Sequence, residues 1–291
     1  MSTDAGHLRF PLVQSGGPLR RWLRHQLGAL LGWLSPARTR QLRAGSPDTP
    51  LRPSDYWRLA ALLAERARDG ASPSLSPIHR LFWRSDAAAG FQQREAGWRY
   101  QRFAQQFAPR LLPVLRAAMQ DSGCRRLIEI GPGTGEVLDH LARSFDHCEV
   151  LIGVEVNPAL VAVHAARGPD PRIQLHHGDG LELARQHGGP GTAYFSHGGV
   201  LEYFDRDTLR AWFAWVAGHS APAVVALIEP IAPGQDPERD QGSPTFGVEH
   251  SYSHAYAALA REAGLQIEFL AVERWRESPW LLMVARCGGP A

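Results

Sequence analysis

The segment Glu129-Ile130-Gly131-Pro132-Gly133-Thr134-Gly135 decides the fold of this 291-residue chain. The apolar run at residues 127–130 is typical of a buried strand, and the helical pattern that follows the segment is carried by Val137, Leu138 and Leu141. The three glycines, spaced GxGxG, let the backbone turn tightly and approach a ligand with no Cβ in the way. A strand, a glycine-rich turn and a helix in this order predict a ligand site at a strand end.

Short apolar runs alternate with helical patterns along the rest of the chain, and this alternation predicts a doubly wound, mainly parallel sheet. Two further β-rich runs near the C-terminus are joined by a segment too short for a helical crossover, so they should pair antiparallel. We therefore predict an α/β fold with a seven-stranded, mainly parallel sheet that ends in an antiparallel C-terminal hairpin. The predicted strands are residues 127–130, 150–154, 173–176, 192–196, 223–231, 265–272 and 280–285.

The first 90 residues are helical in pattern and are interrupted by a Pro/Ser/Gly-rich run at residues 71–77, which predicts a loop. An open α/β sheet leaves its site exposed beyond the carboxyl ends of the strands. We therefore expect an N-terminal helical lid or substrate region over residues 1–90 and a ligand-binding sheet domain over residues 91–291.

The first predicted helix has a leucine stripe from Leu19 to Leu34, accompanied by Arg20, Arg21 and Arg24. This pattern is compatible with a helix that binds a membrane surface or a partner. It is also compatible with ordinary packing against the main domain, the interpretation that we favour, because almost every globular helix has an apolar stripe.

The overall charge excludes a disordered polyelectrolyte and a strongly basic nucleic-acid binder, since the net value is only +2. Residues 1–120 carry 18 arginines against 7 acidic residues, a net +11, whereas residues 121–291 carry 13 against 22, a net −9. RNA as a substrate remains an alternative, but the basic part has no RNA-binding signature, and we predict no nucleic-acid partner. The absence of lysine suggests a GC-rich bacterial genome.

Cysteine and histidine spacing predicts neither a disulfide framework nor a metal site. Cys124, Cys148 and Cys287 show no CxxC pattern, which favours a reducing cytoplasm. His250 and His254 have helical spacing without a carboxylate partner, so we predict no metal. No apolar run approaches the roughly 20 residues that span a bilayer. The sequence does not indicate the oligomeric state.

The string from Glu129 to Gly135 resembles motif I of the class I S-adenosylmethionine-dependent methyltransferases. A dinucleotide fingerprint has its third glycine one position later, where this chain has Glu136, a carboxylate poorly placed to face a pyrophosphate. The resemblance covers about residues 91–287. It implies S-adenosylmethionine as cofactor, with Glu129, Gly131, Pro132, Gly133 and Gly135 around it.

Two later landmarks of that family follow in register. Glu155, with Val156, ends the second predicted strand, and the resemblance implies that its carboxylate accepts hydrogen bonds from both ribose hydroxyls. Asp179 and Gly180 follow the third strand and resemble the segment in which the aspartate binds the adenine amino group. The alternative role for Asp179 is to cap the next helix.

An aromatic and basic segment lies just upstream of motif I. In related enzymes, residues of this region often close over the cofactor and contact its carboxylate. Tyr100 and Arg102 are the candidates for that role, and an exposed helix face is the alternative.

The fourth predicted strand ends in Tyr194-Phe195-Ser196-His197 rather than Asn-Pro-Pro-Tyr, which disfavours amino-group methylation of nucleobases or glutamine amides. Methyl transfer from a sulfonium mainly requires positioning and desolvation. Our hypothesis is that Tyr194 packs near the sulfonium and that Ser196 or His197 contacts the amino-acid end or the acceptor. The alternative for His197 is a strand-end histidine with its own partners. Glu229, at the end of the fifth strand, is assigned to the wall of the site.

The resemblance implies a methyltransferase that acts on a small molecule, which we place in bacterial secondary metabolism. Methyltransferase folds also host enzymes of the azetidine-2-carboxylate synthase type, in which the cofactor's own amine attacks its γ-carbon and releases methylthioadenosine. Asn157 or Ser196 would supply a polar group for that cyclisation. A non-catalytic protein that binds S-adenosylmethionine is the third alternative.

Overall fold

The computed structural model describes residues 18–45, 49–68, 74–247, 249–275 and 278–288. These residues divide into two compact units. One lies within Met1–Phe91 and Thr245–Ser251, and the other lies within Gln92–Pro244 and Tyr252–Ala291. No helix in the described ranges is long and apolar enough to cross a membrane.

The N-terminal unit is helical, with a core that includes Leu59, Leu63 and Phe82. Ser76 and Pro77, which the sequence placed in a loop, form the first turn of a helix, where proline is tolerated because its missing N–H has no helical partner. Residues 71–73 of that predicted loop lie outside the described residues. The helices are α1 (Pro18–Leu34), α2 (Pro36–Ala44), α3 (Asp55–Arg68), α4 (Ser76–Trp83) and the start of α5 (Asp86–Arg102).

The larger unit contains the predicted seven-stranded sheet, and the fold-class prediction is confirmed. Its strand order is β3-β2-β1-β4-β5-β9-β8, with β1 to β5 parallel and β9 antiparallel to both β5 and β8. The hairpin strands run to Trp275 and from Ser278, which makes them longer than predicted. The sheet strands are β1 (Arg126–Ile130), β2 (Val150–Glu155), β3 (Ile173–His177), β4 (Thr192–His197), β5 (Ala223–Pro230), β8 (Gln266–Trp275) and β9 (Ser278–Cys287); β6 (Thr245–Phe246) and β7 (Ser251–Tyr252) are two-residue strands.

Helices cover both faces of this sheet, as expected when a parallel sheet is buried on two sides. Alternation along β4 sends Phe195 to the face with Phe103 and Phe107, and sends Tyr194 to the face with Trp212. A π-helical turn, Phe103–Phe107, and a 3-10 turn, Leu201–Tyr203, border the carboxyl edge of β4. The helices are the end of α5, α6 (Ala108–Asp121), α7 (Glu136–Ser144), α8 (Pro158–Ala166), α9 (Gly180–His187), α10 (Arg206–His219) and α11 (Tyr256–Glu262).

Candidate functional site

The glycine-rich turn after β1 needs its last two glycines for different reasons. Gly135, at φ +88°, precedes α7, and a Cβ there would lie 2.2 Å from Nδ1 of the buried His164. Gly133 also has a positive φ, +58°, but the nearest atom to a Cβ at this position would be Oε1 of Gln92, at 3.7 Å. Packing therefore explains Gly135, whereas Gly133 leaves an open side on the turn.

Three other predicted cofactor residues pack against neighbouring loops. A Cβ on Gly131 would lie 2.7 Å from Cγ2 of Val200, and a Cβ on Gly180 would lie 2.7 Å from Cγ2 of Ile130. Pro132 is buried. These residues let the loops at the carboxyl ends of the parallel strands approach one another closely.

Glu155, at the end of β2, is hydrogen-bonded to the glycine-rich turn that follows β1. Its Oε2 accepts a hydrogen bond from the backbone N–H of Gly133 at 3.1 Å, and its Oε1 accepts one from the N–H of Asn157 at 2.8 Å. Burial raises the pKa of Glu155 to about 6, although the hydrogen bonds from Asn157, Gly133 and Val156 act in the opposite direction. At neutral pH it is a carboxylate, and each oxygen retains a lone pair for a further donor such as a diol hydroxyl. Val156 is half-buried beside it.

Glu129 is buried at the end of β1 with 1% of its surface exposed, and its Oε2 has no hydrogen-bond partner among the described residues. Burial, with smaller contributions from the negative charges of Asp139, Glu136 and Glu155, raises its pKa well above the ordinary range. The raised pKa favours the protonated form of Glu129, which can donate a hydrogen bond. A buried polar atom without a protein partner marks a position for a ligand or a water molecule.

His197 ends β4 with its ring against the π-helical turn. The ring centroids of Phe103 and Phe107 lie 5.0 and 6.2 Å from that of His197. Burial, then the positive charges of Arg102 and Arg99, hold the pKa of His197 well below its ordinary value, so the imidazole is neutral. Its Nε2 is buried and has no hydrogen-bond partner in the described ranges. A neutral imidazole nitrogen without a protein partner can accept a hydrogen bond from a ligand, whereas the lowered pKa makes His197 a weak base.

Arg99 and Gln92 of α5 lie at the site, and the sequence reasoning did not select them. The Arg99 guanidinium donates to the carbonyl of Gly198 at 3.1 Å and to the side-chain oxygen of Gln92. Gln92 in turn lies beside the open side of Gly133. Two residues that are seven apart share one helix face, and this spacing was the available signal.

The structure places Tyr100 and Arg102, the residues predicted to contact the cofactor carboxylate, in other contacts. The Tyr100 hydroxyl hydrogen-bonds to Nδ1 of His140 at 3.1 Å. The Arg102 guanidinium is buried in an aromatic cage, because this position of α5 points toward the hairpin strands. The cage rings, with their distances from the guanidinium carbon, are Trp280 (4.1 Å), Trp275 (4.7 Å), Trp98 (5.1 Å) and Phe107 (5.4 Å).

Tyr194 does not lie at the carboxyl edge where the sulfonium was expected. It stands three residues, about 10 Å, before the end of β4. Its ring packs against Trp212, and its hydroxyl hydrogen-bonds to Oγ of Ser220 at 2.6 Å, after the end of α10. Both Tyr194 and Ser220 are fully buried, so Tyr194 is a core residue.

Ser196 lies at the edge but is engaged by Glu229. The Ser196 hydroxyl donates to Oε1 of Glu229 at 2.6 Å, and the backbone N–H of Val200 donates to its Oε2 at 3.1 Å. Burial raises the pKa of Glu229 to about 7, against these hydrogen bonds. The Ser196–Glu229 pair thus shapes the loop after β4, in agreement with a wall role for Glu229.

Asn157 and Asp179 both cap helices. Asn157 Oδ1 accepts from the N–H of Ala159 at 3.1 Å at the start of α8. Asp179 Oδ1 accepts from the N–H groups of Leu181 and Glu182, each at 3.1 Å, at the start of α9. Both side chains stand at carboxyl ends of strands, but their capping bonds fix their orientation.

Within the described ranges, no group of three or more His, Cys, Asp or Glu side chains is arranged to hold a metal ion. His254 is buried, donates from Nε2 to the carbonyl of Phe204 at 3.0 Å, and hydrogen-bonds through Nδ1 to the Ser243 hydroxyl at 2.7 Å. Two local partners therefore occupy both ring nitrogens.

No protein-family model and no curated protein matches this sequence. Solved structures do match the fold. Magnesium protoporphyrin IX methyltransferase from Synechocystis PCC 6803, with bound S-adenosylmethionine, is 15% identical, with a TM-score of 0.52 over 74% of this chain and 99% of its own. Human N-acetylserotonin methyltransferase, also in complex with S-adenosylmethionine, is 13% identical, with a TM-score of 0.53 over 80% of this chain and 67% of its own. The chain therefore has the class I S-adenosylmethionine-dependent methyltransferase fold.

Proposed function

We propose that this protein is an S-adenosylmethionine-dependent methyltransferase that acts on a small molecule. The observation that carries the proposal is the pair of hydrogen bonds from Gly133 and Asn157 to the Glu155 carboxylate. These bonds fix an anionic acceptor beside the open side of the glycine turn. Both similar solved methyltransferases were obtained with S-adenosylmethionine, which supports this cofactor.

The residues present fit that cofactor. Glu155 would bind the ribose hydroxyls, and Asp179 remains the candidate for the adenine amino group. Arg99, which already bridges Gly198 and Gln92, takes the place of Arg102 as the partner for the cofactor carboxylate. When bound, S-adenosylmethionine supplies an electrophilic methyl group on a sulfonium.

His197 would act on the acceptor. Its Nε2 is buried and unpartnered among the described residues, and its imidazole is neutral, so it would accept a hydrogen bond from a hydroxyl or amine of the acceptor and orient that group. Phe103 and Phe107 hold its ring from one side and exclude water. Glu129, buried at the end of β1 with its Oε2 unpartnered among the described residues, would hydrogen-bond to the cofactor.

We further propose a bacterial cytoplasmic enzyme of secondary metabolism that uses no metal, with residues 1–90 as a lid or substrate region. All three cysteines are buried and free, which agrees with a reducing compartment. Neither the acceptor nor the oligomeric state enters the proposal.

The test is product analysis with the purified full-length protein and S-adenosylmethionine, alone and with a panel of phenols, amines and carboxylic acids. Acceptor-dependent formation of S-adenosylhomocysteine is expected. Methylthioadenosine formed without an acceptor would establish cyclisation instead, and a bound but unchanged cofactor would establish a binding protein. No measurable cofactor binding by calorimetry would refute the site itself. The variant Glu155→Gln tests the carboxylate itself, because Gln keeps the shape of the side chain but loses the charge and one acceptor oxygen.

A further inference from the structure

The N-terminal unit exposes one apolar helix face, here called the outer stripe. Seven large apolar side chains of α1 have between 39% and 77% of their surface exposed. At about 100° per residue they fall within an arc of roughly 140°, which also contains the polar Gln26, so they form one predominantly apolar face. The outer stripe consists of Leu19, Trp22, Leu23, Leu27, Leu30, Trp33 and Leu34.

The opposite side of α1 is the side that packs. A Cβ on Gly28 would lie 2.1 Å from the carbonyl oxygen of Trp57, and a Cβ on Gly32 would lie 3.4 Å from Oγ1 of Thr39. The helix is thus held against α3 and α2 by its glycines while its leucines and tryptophans point outward. An ordinary amphipathic helix does the reverse. The outer stripe therefore takes no part in the packing of α1 against α2 and α3.

The segment that carries the outer stripe has a strongly positive net charge. Residues 18–68 contain ten arginines, no lysine and three acidic residues, a net +7. Of those acids, Asp55 is shared between Arg38 and Arg58 at 2.6 and 3.0 Å, and Glu65 pairs with Arg43. A second copy of the chain would bring two such positive units together, which repel. An anionic surface is complementary to them.

We propose that α1 docks in the plane of an anionic lipid surface, with the outer stripe in the headgroup region. A 17-residue helix extends about 26 Å along the surface. Indole rings such as those of Trp22 and Trp33 favour the interface between water and lipid. Apolar burial together with arginine attraction to anionic lipid gives reversible peripheral binding. This docking is independent of the proposed methyl transfer.

The test is co-sedimentation of the full-length protein with vesicles of phosphatidylcholine alone or mixed with phosphatidylglycerol. Wild-type protein should bind the mixed vesicles, and added salt should weaken the binding. Leu23→Asp/Leu30→Asp should reduce the binding at least about tenfold, because it places two charges in the apolar stripe. Val272→Asp is the matched control, since Val272 is a 47% exposed apolar residue of the sheet unit.

Trp33→Ser is a milder variant at the most exposed stripe position, and it should weaken binding without affecting folding. Circular dichroism melts establish that each variant is folded. Failure of the wild-type protein to bind mixed vesicles, or equal binding by the Leu23→Asp/Leu30→Asp variant, would overturn the proposal. So would a lipid-free dimer, measured by light scattering, that the double variant dissociates, because the occupant of the stripe would then be a second copy.

Discussion

The variant Gly133→Ala tests whether Gly133 contacts the cofactor or only allows the backbone to turn. A Cβ at this position would meet no protein atom closer than 3.7 Å, so the substitution introduces no clash. The cost is the left-handed backbone at φ +58°, roughly 1–2 kcal/mol for a residue with a Cβ. Part of that cost is offset, because alanine also restricts the unfolded chain by about 0.4–1 kcal/mol. We expect a net loss of about 1 kcal/mol in the free energy of unfolding.

Alanine variants of two other glycines are references for this loss in the free energy of unfolding. Gly168→Ala has a similar φ, +64°, with nothing within 4 Å of the added Cβ, so its stability loss should match that of Gly133→Ala. Gly135→Ala should cost more, because its Cβ would lie 2.2 Å from the His164 ring and overpacking adds about 1–3 kcal/mol to the backbone strain. Urea denaturation without cofactor measures all three.

Cofactor affinity then distinguishes the two roles. We expect Gly133→Ala to bind S-adenosylmethionine at least about tenfold more weakly, a loss of about 1.4 kcal/mol, because the Cβ fills the open side of the turn. Gly168→Ala should bind with wild-type affinity in the same calorimetric titration. Wild-type affinity in Gly133→Ala would show that the turn does not contact the cofactor, and a matching loss in Gly168→Ala would show that the effect is not local.

Three further outcomes concern residues of β4 and β5. Tyr194→Phe should lose about 1 kcal/mol of stability with the bond to Ser220, and should bind S-adenosylmethionine like the wild type; weakened binding in calorimetry would return Tyr194 to the site. His197→Phe should lower kcat about tenfold, the effect of one lost hydrogen bond, with little change in cofactor affinity, and unchanged kcat would exclude an orienting role for His197. Burial raises the pKa of Glu229 from its ordinary 4.5 to about 7, so wild-type stability should fall by roughly 3 kcal/mol as pH rises between those values. Glu229→Gln, compared by urea melts at several pH values, should remove that part of the slope, and an unaltered slope would contradict the assignment.

The sheet was predictable because it depends on local patterns. Alternating apolar runs and helical segments specify parallel strands, and the short segment after β8 leaves only an antiparallel return. Glu155 was placed at the edge for the same reason, since it is the last residue of its strand. A residue's position relative to the end of its strand can therefore be predicted from the sequence.

The direction of a side chain was harder to predict from the sequence. Tyr194 and Ser196 share a face of β4, but the depth along the strand separates a core hydroxyl from an edge hydroxyl. For α5, the choice between Arg99 and Arg102 depends on which helix face meets the sheet, and a π-helical turn follows directly after Arg102. The hydrophobic periodicity of the sequence does not reveal that π-helical turn. In α1, Gly28 and Gly32 lie against α3 and α2 where leucines normally do, and the apolar periodicity does not indicate that side.

The carboxyl edge of the sheet holds three buried acids, and their burial is itself an argument for a ligand. Burial raises the pKa values of Glu129, Glu155 and Glu229, so each acid is held in the folded protein at a cost in stability near neutral pH. Apolar residues of similar size would have been more stable there. The three acids end β1, β2 and β5, the edge at which open α/β sheets bind ligands. Acids with raised pKa values cluster at ligand sites, so their concentration at this edge supports the proposed cofactor site.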